Sequence, residues 1–89
     1  MISPDTLVSL IQSQLPQSQV EVQDLTGTGD HYQAIVVSES FEGKSLVQQH
    51  QLVYQAVNTL MASEELHALA LKTYTPQKWE AAQQANAIV

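Results

Sequence analysis

The sequence predicts an α+β fold, a two-layer sandwich with a mixed three-stranded sheet. Three observations predict it. Hydrophobic periodicity changes along the chain in the order helix, strand, strand, helical region, strand, helix. Strands grouped beside helices bury their apolar faces most simply as two layers. The 89 residues contain no internal repeat and no linker-like stretch, so residues 1–89 read as one domain.

The first helix starts at Ser3-Pro4-Asp5. Ser3 can cap it, Pro4 suits the first helical position, and Asp5 complements the positive end of the dipole. Leu7, Leu10, Ile11 and Leu15 follow a helical stripe, which Pro16 ends. Val20, Val22 and Leu25 then alternate with Glu21 and Gln23, the period of a strand. Gly27-Thr28-Gly29-Asp30 is a tight connection, and His31–Ser38 reads as the returning strand of a β-hairpin.

Phe41-Glu42-Gly43 turns into a helical region that a break near Lys44–Gln49 divides in two. Leu46, Val47, His50, Val53, Tyr54, Val57, Leu60 and Met61 recur at three- and four-residue spacings. His67 opens a third strand. Ala68, Ala70 and Lys72 alternate there with Leu69, Leu71 and Thr73, an apolar content that suits a central or covered strand. Thr75-Pro76 starts the last helix, with Thr75 as cap, and Trp79 can dock it on the sheet. The tail over 82–89 is expected to fray.

Composition excludes several function classes. Apolar residues make up 44% of the chain, enough for a modest core and too many for a disordered segment. There is no cysteine, which excludes disulfide scaffolds, thiol redox catalysis and cysteine-based zinc sites. The net charge is −6, with Lys44, Lys72 and Lys78 as the only formal cations besides the chain start, a poor footprint for nucleic acid. No stretch approaches the roughly 20 apolar residues that span a bilayer, and the first residues lack a basic leader region. The expectation is a cytoplasmic protein without membrane contact.

His31, His50 and His67 are the only soft donors, and no two sit four residues apart on one helix. His50 falls on the apolar stripe and reads as a half-buried residue hydrogen-bonding a neighbour, ahead of a ligand role. The glycine-rich connection joins two strands, with no helix start and no lysine, and so reads as hairpin punctuation and not a phosphate loop. No nucleophile-elbow pattern accompanies the serines and histidines. The chain is not expected to be an enzyme.

Several ordered pieces resemble one family. They are Asp30-His31-Tyr32, Val36-Val37-Ser38, Phe41-Glu42-Gly43-Lys44, the run from Leu46 to Tyr54, the run from His67 to Pro76, and Trp79. Together they resemble the BolA family over nearly the whole chain, most of all its short, stress-linked bacterial branch. The resemblance implies an αββααβα fold similar to a type II KH domain without the GXXG clamp. It implies a monothiol glutaredoxin as partner, with a [2Fe–2S] cluster held between the two proteins by glutaredoxin and glutathione thiolates plus BolA-side ligands. No cluster is expected on the chain alone, which is expected to be a monomer or weak homodimer.

The family's C-terminal histidine ligand falls on His67. Its loop ligand, a Cys in one branch, aligns with Thr28, whose hydroxyl is a poor iron donor beside thiolate or imidazole. That leaves His67 alone, or His67 with the neighbouring His31. The implied partner surface takes in Thr28, Gly29, Lys72 and Tyr74. A second implied role is nucleic-acid binding and transcription regulation through the helix-turn-helix-like region, with Lys44 and His50 as its residues. Gln48-Gln49 stands where the family often carries basic residues, so DNA binding is expected to be weak.

Overall fold

The computed structural model describes residues 3–27, 31–63 and 68–87. Its elements are α1 (Pro4–Gln14), β1 (Gln19–Asp24), β2 (His31–Val37), a single 3-10 turn (Glu39–Phe41), α2 (Leu46–Ala62), β3 (Ala68–Tyr74) and α3 (Pro76–Ala87). The sheet has the order β1-β2-β3. β1 pairs antiparallel with β2, and β2 pairs parallel with β3, which is the mixed sheet the sequence predicts.

Each helix begins where local chemistry satisfies its free N–H groups. The Ser3 hydroxyl accepts from Thr6 N at 3.2 Å, with Pro4 in the first turn. Ser45 and Gln48 form a reciprocal capping box. Gln48 N donates to Ser45 Oγ at 3.2 Å, and Ser45 N donates to Gln48 Oε1 at 2.9 Å. Lys78 N donates to Thr75 Oγ1 at 3.3 Å. The capping box fixes the start of α2 at Leu46, after Gly43 turns the chain at φ 75°. The divided helical region is therefore a 3-10 turn followed by one unbroken helix. α1 stops before Pro16, and the chain turns through Pro16-Gln17, with Ser18 N donating to Leu15 O at 3.1 Å. α3 runs into the 82–89 segment as far as Ala87.

Alternation on β2 decides what the sheet buries. Tyr32, Ala34 and Val36 are buried against Leu7 and Ile11 of α1 and Val53 and Val57 of α2, with Phe41 and Leu69 in the same core. The opposite face carries Glu21, Gln23, His31, Gln33, Ile35, Ala70 and Lys72 and is half-buried to exposed. β3 is an edge strand and not the central one. Its Leu69, Leu71 and Thr73 face the helices, while Ala70 and Lys72 are exposed. The apolar content of β3 reflects one covered face plus an alanine, which sequence alternation does not separate from two covered faces. Trp79 docks α3 through Tyr74, with ring centroids 5.1 Å apart.

Candidate functional site

His31 lies at the hairpin end of the sheet. β1 closes in an Asx turn, where Asp24 Oδ1 accepts from Thr26 N at 3.2 Å and Gly27 N at 2.9 Å. Gly27 takes φ 76°, a left-handed conformation open to glycine at little cost. Leu25 N then donates to His31 O at 2.8 Å, one bond beyond the last residue of β1. His31 is the first residue of β2 and pairs in register with Ala68, the first residue of β3. The half-buried His31 thus stands beside the position that follows His67 in the chain. His67, Thr28 and Gly29 lie outside the described residues.

The other sequence-selected residues separate from this end. Lys72 pairs with Ile35, and Tyr74 pairs with Val37. At about 3.3 Å per residue, Lys72 is about 13 Å and Tyr74 about 20 Å along the strand from Ala68. Alternation puts both on the open face of the sheet with His31, but Tyr74 is engaged by Trp79 at the far end. Lys44 is exposed just before α2.

His50 is half-buried, as the helical stripe implies, but its Nε2 makes none of the hydrogen bonds expected with a neighbour. That atom is buried and has no partner. The helix phase puts the imidazole at the margin of the core, where Leu46 and Tyr54 are its neighbours one turn away along α2.

Sequence reasoning missed Gln49. It is only 8% exposed, and its amide bridges three elements. Nε2 donates to Lys44 O at 3.0 Å and Phe41 O at 3.5 Å, while Thr73 Oγ1 donates to Oε1 at 2.7 Å. Its phase with Val53 and Val57, four and eight residues on, is the signal that locates it. Tyr54 adds a second tie from α2 to β3, with its hydroxyl donating to Leu69 O at 3.2 Å.

The donor set does not suit a cluster held by this chain alone. It contains no cysteine, and the described residues include no group of three or more His, Cys, Asp or Glu that could hold a metal ion.

Comparison with known proteins agrees with the fold. The profile of the family described as "BolA-like protein" matches residues 3–78. The chain belongs to the BolA family. It is 37% identical to the acid stress protein IbaG of Escherichia coli strain K12 over 71 residues, which is 80% of this chain and 81% of that protein. It is 38% identical to the DNA-binding transcriptional regulator BolA of Haemophilus influenzae over 55 residues, which is 62% of this chain and 52% of that protein. The solved structure of a BolA homologue from Coxiella burnetii superposes with a TM-score of 0.77 at 36% identity, covering 90% of this chain and 99% of that one. The BolA fold thus accounts for nearly the whole chain. No helix among its described residues is long and apolar enough to cross a membrane.

Proposed function

We propose that this BolA-family chain is an adaptor that binds a monothiol glutaredoxin and contributes imidazole to a [2Fe–2S] cluster shared with it. The thiolates come from glutaredoxin and glutathione, and His67, with or without His31, completes the coordination. The observation that carries the reading is the parallel register of His31 with Ala68, the residue after His67. His31 begins β2 beside a hairpin turn ordered by Asp24, and its register partner Ala68 directly follows His67 in the chain. Imidazole in place of thiolate changes the charge and reduction potential of such a cluster, which is a means of regulating it.

Nucleic-acid regulation is the second reading, and the relative from Haemophilus influenzae favours it by name. The surface argues against it here. α2, the helix that would meet the groove, contains no Lys, Arg, Asp or Glu. Lys44, Lys72 and Lys78 stand on three different segments, so no single helix or strand carries a basic stripe.

Anaerobic assembly of the chain with a monothiol glutaredoxin and glutathione tests the adaptor reading. The isolated chain stays colourless. The mixture gives a heterocomplex whose visible circular dichroism differs from that of the glutaredoxin cluster alone. Absence of both the complex and the spectral change refutes the reading.

A further inference from the structure

At the end of the sheet opposite the hairpin lies a cleft of about 290 Å³. Four segments enclose it: the turn from α1 to β1, the end of β2, the 3-10 turn and the first residue of α3. Its floor is buried. Val37 is 6% exposed and Ser38 is 4% exposed, while the lining residues of the other segments are exposed and form the rim. Val37 is buried without belonging to the main core. It stands six residues along β2 from His31, about 20 Å from the hairpin end. On the rim, Gln17 takes φ 67°. A residue other than glycine keeps this left-handed conformation where its surroundings fix it, and such residues recur at binding sites.

The lining is rich in acceptors and short of free main-chain donors. Pro16 and Pro76 have no N–H. The bond from Leu25 N to His31 O sets the alternation of the antiparallel ladder, which makes Gln19 and Val37 a hydrogen-bonded pair and spends both their N–H groups. Ser38 N donates to Tyr74 O at 3.1 Å, and Ser40 N donates to Ser38 Oγ at 3.0 Å. The buried Ser38 hydroxyl keeps a second lone pair for another donor. Gln17 and Gln19 add side-chain carbonyls, and Glu39 brings the one formal charge of the lining, a carboxylate. An anionic ligand would be repelled there. An ammonium group offers three donors and no acceptor, and its alkyl stem suits the apolar surface of Val37 and the two prolines. The chain charge of −6 draws a cation and not an anion towards the protein.

We propose that this cleft binds a primary alkylammonium group, with Glu39 as its counter-ion, Ser38 Oγ and the Gln17 and Gln19 carbonyls as further acceptors, and Val37 beneath its stem. The same chemistry is offered by a lysine side chain of another protein and by a free polyamine. The site does not depend on the cluster reading, since it lies at the other end of the sheet.

Titration of the isotope-labelled full chain with acetyl-lysine amide, followed by amide NMR, tests it. The amides of Gln17, Gln19, Ser38 and Ser40 should shift and saturate, with a Kd of about 1–10 mM for a contact of this size. Acetyl-norleucine amide, which carries the stem without the charge, should give no saturating shift. Raising salt from about 20 mM to about 300 mM should weaken the binding. Glu39→Gln should weaken it at least roughly tenfold, since a charge-assisted contact is lost on an exposed residue that supports no core. Asp5→Asn removes the same charge at the start of α1 and should leave it unchanged. Spermidine and a short lysine-containing peptide separate the two sources, the tighter of the two at these amides naming the natural one. The proposal is overturned if no ammonium compound gives saturating shifts at these amides up to about 100 mM. It is overturned equally if the norleucine compound binds as well as the lysine compound, or if Glu39→Gln binds no more weakly than Asp5→Asn.

Discussion

Thr73 on the edge strand donates its hydroxyl hydrogen to Gln49 on α2 at 2.7 Å, and this bond ties the last strand to the start of the helix that covers it. The same amide donates to the carbonyls of Lys44 and Phe41, so one side chain anchors β3, α2 and the 3-10 turn. An edge strand has a partner on one side only. The remaining hold on β3 comes from such ties, from Tyr54 at Leu69 O, and from the packing of Leu69 into the core.

Removing one member of this bridge leaves buried polar groups unpaired. Gln49→Leu keeps the volume and strands both Thr73 Oγ1 and the Lys44 carbonyl, at a cost of about 2–3 kcal/mol. Thr73→Val alone costs about 1 kcal/mol. The double variant should be less destabilised than the sum of the two by about 1 kcal/mol, since the two changes delete the same bond. Urea unfolding of the four proteins measures this, and strict additivity would contradict the bridge.

Gly43→Ala isolates a backbone effect. A Cβ at Gly43 meets nothing within 4 Å, so no clash contributes. The residue sits at φ 75°, where an L side chain is strained by about 1–2 kcal/mol, partly offset by a stiffer unfolded chain. A net loss near 1 kcal/mol should appear as a lower thermal midpoint with an unchanged fold. A neutral or stabilising change would show that the turn does not need the left-handed conformation.

At the hairpin end, His67→Ala should change the visible circular dichroism of the glutaredoxin heterocomplex and shift its reduction potential. If His31 completes the ligand set, His31→Ala gives a similar change, and the double variant is non-additive because both act on one centre. Unfolding midpoints separate ligation from structure. A residue that only supports the strand start lowers stability and leaves the spectrum alone. If neither substitution alters the spectrum of the assembled complex, direct ligation is refuted and only protein–protein binding survives.

Duplex DNA should bind poorly near 150 mM salt, a concentration at which phosphate contacts made by few cations are weak. Fluorescence anisotropy with labelled duplex checks this. Binding that is tight and sequence-specific at that salt would reverse the order of the two functional readings.

The sequence by itself determined the helix starts and the hairpin, because these depend on contacts within a few residues. Ser3-Pro4, Thr75-Pro76 and the strand alternation around Gly27 are all local, and each appears where the residue order places it. It also showed which residue types exist for chemistry, three imidazoles and no thiol. It did not determine the position of β3 at the sheet edge, since Ala70 satisfies an apolar pattern while it is exposed. Nor did it single out Gln49, whose polar side chain reads as solvated until Thr73, Lys44 and Phe41 come together around it. The neighbourhood of His31 and Ala68, separated by 37 positions in the chain, exists only in the parallel register. Local propensities act over a turn or a hairpin, whereas registers between distant strands and partners for buried amides are settled by which faces pack, and that is decided only when the core closes.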